Sequence, residues 1–136
     1  MSLLLEIVTP EKKVFSDQAN SLTLPTTEGE IGILPGHLPL ITQLIPGHLV
    51  VQQGQSVQHL AVDRGFAEVF SDKVSVLTEG AIDVKAIDLT AIEAAQARAE
   101  AALAEAQKQN KDPAEIEQIE RLVRFAIAQK LVKRSR

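Results

Sequence analysis

The sequence predicts an α+β fold: an antiparallel β-sandwich over residues 1–84, followed by an antiparallel two-helix hairpin over residues 85–136. Three observations predict it. Short runs rich in apolar residues recur before Ile82 at intervals of about eight to twelve residues, as in sandwiches and barrels. All seven glycines, and every proline but Pro113, lie at or before Gly80. Beyond it alanine dominates, and apolar residues return at helical spacing. No crossover helix interrupts the strand candidates, which excludes an α/β nucleotide-binding fold.

The strand candidates are Leu3–Val8, Lys13–Ser16, Ser21–Leu24, Glu30–Leu34, Leu38–Leu44, Leu49–Gln52, Val57–Ala61, Phe66–Phe70 and Val74–Thr78. Thr9-Pro10, Pro35-Gly36, Pro46-Gly47, Gln53-Gly54, Arg64-Gly65 and Ser71-Asp72 supply the turn chemistry between them. Asp88 or Thr90 can cap the first helix, with Glu93 as the capping-box partner of Thr90. Leu89, Ile92, Ala95, Ala99, Leu103 and Ala106 then form one stripe. The polar run Gln107–Asp112 ends that helix, and Pro113 suits the first position of the next, after an Asp112 cap. The second helix runs to about Lys133. Ile116, Ile119, Val123 and Ala126 make its main stripe, which Leu122, Phe125 and Val132 widen. An alanine-rich arm buries little apolar area per contact, so the hairpin is expected to be the less stable half.

Cysteine is absent, which removes disulfides, thiolate metal sites and cysteine nucleophiles together. Without Trp or Tyr, and with only four Phe, there is no stacking platform for single-stranded nucleic acid. A net charge of −4 and a pI near 5.4 also point away from nucleic acid. The start Met1–Glu6 lacks the basic region of a signal peptide. The apolar stretch Ile31–Val51 is cut by Pro35, Pro39 and Pro46, so it is no membrane helix. Any membrane association is expected to come through a complex. Charge divides with the fold: residues 1–85 carry five basic and ten acidic side chains, and residues 86–136 carry nine and eight. Arg121, Arg124, Lys130, Lys133, Arg134 and Arg136 occupy the last sixteen residues without one acid. Cations favour the last turns of a helix, but six exceed that need, so an acidic partner surface is expected.

No phosphate loop, dinucleotide fingerprint, zinc-protease helix or nucleophile elbow is present in the sequence. His37, His48 and His59 recur every eleven residues, which raises a three-histidine metal site. The near-copies Leu34–Leu38 and Ile45–Leu49 place a Pro-Gly turn before each of the first two, so hairpin length accounts for the spacing. Glu28, Glu30, Asp63 and Glu68 are the acids available for general acid–base work, and nothing in the sequence marks a raised carboxyl among them. Neither an active site nor a metal is expected.

The run Glu28-Gly29-Glu30-Ile31-Gly32-Ile33-Leu34-Pro35-Gly36-His37-Leu38-Pro39-Leu40 closely resembles the signature of the epsilon subunit of rotary proton-translocating ATP synthases. Val8–Glu11, Val14–Ser16, Gly65–Val69 and Val74–Leu77 extend the resemblance, which covers essentially the whole chain. It implies a sandwich of about ten strands and a hairpin, with no active site of the subunit's own. It implies a rotor subunit seated on the gamma subunit and on the ring of membrane c subunits. The loop carrying Glu28, Gly29, Glu30 and Ile31, with His37 nearby, would face that ring. The hairpin would permit turnover when folded and obstruct hydrolysis when extended, its basic end meeting an acidic segment of the catalytic beta subunit in the alpha/beta head. One motif departs. Some relatives bind ATP through I/L-D-x-x-R-A, and here Ile87, Asp88, Ala91 and Ile92 leave the arginine missing. ATP binding is not expected, and no other cofactor is implied. The location implied is the cytoplasmic face of an energy-transducing membrane, with the lost arginine leaning towards a thylakoid or plasma membrane of a photosynthetic bacterium. The alternative is a free-standing sandwich module that dimerises through its hairpin.

Overall fold

The computed structural model describes residues 1–135, so Arg136 lies outside the described residues. The strands are β1 (Leu3–Val8), β2 (Lys13–Ala19), β3 (Ser21–Thr26), β4 (Gly29–Ile33), β5 (Leu40–Leu44), β6 (Gly47–Gln53), β7 (Ser56–Val62), β8 (Gly65–Phe70), β9 (Lys73–Thr78) and β10 (Ala81–Asp83). A single 3₁₀ turn, Val84–Ala86, leads to helices α1 (Leu89–Lys108) and α2 (Pro113–Arg134). Every predicted strand is present, several of them longer than alternation suggests. Strand β2 runs through polar Asp17 and Gln18 because both pair across to β1, opposite Leu5 and Leu4.

The strands form two layers, β10-β7-β6-β3-β4 and β5-β8-β9-β1-β2. Only the Thr26–Leu44 pair joins β3 to β5, so the hydrogen-bonded path folds over at that point into a sandwich. All pairings are antiparallel except β1 with β9, which run parallel. No short turn links those two strands, so nothing forces them to oppose. With side chains alternating along each strand, Leu3, Leu5, Ile7, Val69, Val74 and Val76 meet Leu22, Leu24, Ile33, Leu49, Val51, Leu60 and Val62 in one core. No described hairpin residue belongs to it.

The helices start where their caps allow. The Asp88 carboxylate accepts from the Thr90 and Ala91 amides at 2.9 and 3.3 Å, and Asp112 accepts from Ala114 at 2.8 Å. Thr90 is thus inside the helix, and Glu93 pairs with Arg134 at 3.5 Å instead of closing a capping box. Asn110, at φ +52°, closes the tip of the hairpin. Helix α1 packs on α2, and α2 packs on β6 and β7. A second apolar cluster joins Ala61, Val84, Ile87 and Val132, with Ile82, Ile92 and Phe125 against it. Leu122 is not part of that packing face: it is half exposed, as are Ile127 and Leu131 to differing degrees. The expected boundary after Val84 therefore falls inside the 3₁₀ turn, at a residue covered by the hairpin.

Because the sandwich core closes without the hairpin, residues 1–84 alone should unfold cooperatively with a strand-rich circular dichroism spectrum. Failure to do so in a urea titration would mean that α2 completes the core.

Candidate functional site

Helix α2 presents Arg121, Phe125 and Val132 to the sandwich along one stripe, at spacings that keep them on one face. Asp63, fully buried in the β7–β8 turn, receives the Arg121 guanidinium at 2.6 Å. Its other oxygen accepts from the Arg64 amide at 2.7 Å. Next to it, the Phe125 ring lies against Gly80, where an added methyl would come within 2.7 Å of the ring. Only glycine lets the helix approach this closely. Arg64 reaches out to Glu117 at 2.8 Å, and Arg124 reaches the same oxygen at 3.0 Å. These hydrogen bonds, the one from Arg64 foremost, hold the Glu117 carboxyl below its usual range. Farther along α2, the Lys133 ammonium donates to the Val84 carbonyl at 3.0 Å.

Four of the terminal cations expected to face an acidic partner are thus engaged within their own chain. Arg121, Arg124, Lys133 and Arg134 hold Asp63, Glu117, the Val84 carbonyl and Glu93 respectively. Lys130 is half-buried. Sequence reasoning missed Asp63 as the partner of Arg121, because the two residues are 58 apart in the chain.

At the same end of the sandwich, β3 and β4 turn through Thr27 and Glu28. The Thr26 hydroxyl donates to the Gly29 carbonyl at 2.6 Å and accepts from the Glu28 amide at 3.1 Å, while Gly29 takes φ +105°. The tip therefore displays Glu28 and Glu30 to solvent. Ile31 does not join them; it pairs with Leu24 and packs against the core. His37 is not near the tip either. It follows the far end of β4, about 13 Å of strand away, in a loop whose Gly36 amide donates to Asp72 at 2.7 Å. The expected set is split by the length of one strand.

The histidines also separate. His48 and His59 lie across β6 and β7 with ring nitrogens 2.7 Å apart, while the His37 ring lies 2.7 Å from the Leu38 carbonyl. Among the four acids, Asp63 is ion-paired and Glu68 lies on the outer face of β8. In the degenerate nucleotide motif, Asp88 caps α1, Ile87 and Ile92 join the second apolar cluster, and Ala91 faces solvent.

The other layer is different. Ile41, Phe66, Phe70 and Leu77 project from its outer face, between 57 and 71 % exposed. Phe66 and Leu77 pair across β8 and β9 beside a groove of about 470 Å³, lined also by Val8, Pro10, Arg64 and Glu79. No described helix of the chain covers this face. No described helix is long and apolar enough to cross a membrane.

The family described as ATP synthase, Delta/Epsilon chain, beta-sandwich domain matches residues 2–84. The chain is similar to the ATP synthase epsilon chain of Magnetococcus marinus, 44 % identical over 84 residues, covering 62 % of this chain and 61 % of that one. With the ATP synthase epsilon chain of Pelotomaculum thermopropionicum it is 48 % identical over 85 residues, 62 % of this chain and 63 % of the relative. The matched stretch thus spans less than two-thirds of those relatives' length. Among solved structures, a chain of the Euglena gracilis mitochondrial ATP synthase (OSCP/F1/c-ring) superposes with TM-score 0.73 and 26 % identity, over 96 % of this chain and 80 % of that one. A chain from the Tetrahymena thermophila mitochondrial ATP synthase central stalk and c-ring shares the fold alone, at TM-score 0.55 and 17 % identity, over 63 % and 69 % of the two chains.

The Arg64–Glu117 contact, which joins the sandwich to α2, gives docking a pH dependence of fixed sign. A carboxyl whose pKa is lowered in the docked state stabilises docking above its ordinary value of 4.5, and the contribution vanishes as pH falls through the lowered value. Amide exchange of α2 in the parent and in Glu117→Gln should therefore differ above about pH 4.5 and converge at lower pH. A constant difference would deny Glu117 this role.

Proposed function

The chain belongs to the delta/epsilon family of ATP synthase subunits, and from that premise we propose that it is a non-catalytic rotor subunit of the central stalk. Its sandwich couples the turning membrane ring to the gamma shaft, and its hairpin restrains ATP hydrolysis. The observation that carries the coupling reading is the exposure of Ile41, Phe66, Phe70 and Leu77 on one outer face, around Glu68. Exposed aromatic and aliphatic side chains grouped on one sheet face mark a site for another protein, and aromatic residues lead the energetics of such sites. The gamma subunit is the partner assigned to it.

The ring contact is narrower than the family signature suggests. Glu28, Gly29 and Glu30 at the β3–β4 tip are its residues, facing the polar loops of the c subunits. The acidic segment of the catalytic beta subunit is the partner assigned to Arg121, Arg124, Lys130, Lys133, Arg134 and Arg136 once the hairpin leaves the sandwich. ATP is not a ligand of the folded hairpin, because the position of the motif arginine holds Ala91, and a lost charged hydrogen bond weakens binding about ten- to a hundredfold. The subunit sits peripherally on an energy-transducing membrane through its complex. A photosynthetic source gains no support from the comparisons. The free-standing dimer is the weaker reading, since the Phe125–Val132 face of the hairpin is occupied by the chain's own sandwich.

Two experiments test this. Phe66→Ser with Leu77→Ser should leave the sandwich folded and abolish co-purification with gamma, a loss of at least about 2 kcal/mol of association; retained association would move the gamma contact elsewhere. Glu30→Lys should uncouple proton flow from synthesis while changing fold stability by no more than about 0.5 kcal/mol, and equal loss of both would make Glu30 structural.

A further inference from the structure

The Asp63–Arg121 pair differs from the other ion pairs of the chain. The described surface pairs are about a quarter to a half exposed on each side, whereas Asp63 is 0 % and the Arg121 side chain 18 % exposed. Asp63 stands in the β7–β8 turn, on the side of the sheet that α2 covers, and both its oxygens are occupied. One oxygen is held by the neighbouring backbone amide and the other by the helix. Lifting α2 would return both charges to water.

We propose that Asp63 and Arg121 form a charge latch, which fixes where the hairpin docks while keeping the docked and released hairpins close in free energy. A buried pair regains through its mutual attraction roughly what the two ions lost in hydration, so it adds little net stability. Removing one partner is another matter, because the remaining charge is buried without compensation. The latch is therefore all-or-none. Arg121 cannot leave while the rest of α2 stays, since Asp63 would be sealed in unpaired, so the helix lifts as a unit. An apolar pair at the same two positions would lack this property and hold the hairpin down. A working released state, and its choice by an acidic surface that competes for Arg121, rests on the function proposed above; the buried pairing of Asp63 with Arg121 does not.

The absence of cysteine makes the test direct on the full chain. Nitroxide labels on Gln55→Cys and Ala101→Cys, both exposed, report the distance between sandwich and hairpin by double electron–electron resonance. The parent should show one narrow distribution. Arg121→Met and Asp63→Arg should each lower the docking equilibrium at least about tenfold and broaden the distribution to longer distances. Asp63→Leu combined with Arg121→Met should restore the narrow distribution, or sharpen it. Amide protection of β1 and β9 confirms in each variant that the sandwich is intact; if Asp63→Leu lowers it, Asp63→Asn with Arg121→Met serves for the same comparison. Unchanged distances in both single variants, or a double variant as open as Arg121→Met, overturn the latch. In the reconstituted synthase, Asp63→Arg should deepen inhibition of hydrolysis and the double variant should relieve it. Distances that move as stated while inhibition does not would leave the latch standing and overturn the hairpin's inhibitory role.

Discussion

The core between the two layers determines what each outer face is left to do, because in a strand every residue committed inward commits its neighbours outward. In β7, Leu60 and Val62 fill the core, so His59 and Ala61 face the other way, and Ala61 is small enough to seat a helix. In β8, Ala67 and Val69 fill it, so Phe66, Glu68 and Phe70 face out. A slip of one residue in β8 would bury Phe66 and expose Val69. The apolar outer face is thus fixed by the same register that makes the core, and it cannot be relieved by small rearrangements. One outer face is covered by the chain's own helix, and the other must be covered by something else or remain a liability.

The sequence made the strands legible where apolar and polar residues alternate, as in Phe66–Phe70 and Val74–Thr78, and hid them elsewhere. Ala81–Asp83 is too short to show a period, yet it pairs with Leu60–Val62 and carries the chain towards the hairpin. The parallel run of β1 beside β9 was hidden as well, since it depends on two segments some seventy residues apart meeting at a sheet edge. The start of α2 was clear because Asp112 acts on its own neighbouring amide, whereas Asp88 and Thr90 both fitted the start of α1 until the Asp88 carboxylate met the Thr90 amide. Local chemistry could be read locally. The site was less legible. The acidic signature of residues 28–30 does stand at an exposed tip, but Ile31 turns inward and His37 follows the opposite end of β4, which a motif written as one run of letters conceals. Arg121 looked like one cation of six, and only the fold reveals the carboxylate it meets.

That meeting bears on how a basic helix could serve two sites. Hydrophobic burial has no direction and grows with area, so a hairpin held by apolar contact alone would stay where its area is largest. The contact here is mixed. Val132, Phe125 and their neighbours supply a modest apolar cluster, while Arg121 on Asp63, Lys133 on the Val84 carbonyl and Arg64 on Glu117 supply bonds that depend on position and whose loss water largely compensates. Leu122, Ile127 and Leu131 leave further apolar surface exposed on different flanks of the same helix. A helix so built has one set of cations and apolar surface beyond the face it docks. Docked, it uses Arg121 on Asp63 and Lys133 on a backbone carbonyl, and the acids of another subunit would have to compete for these two cations rather than add to them. Since neither cation can serve both sides at once, the two positions exclude one another. A few kilocalories from a partner of the right charge then suffice to choose between them.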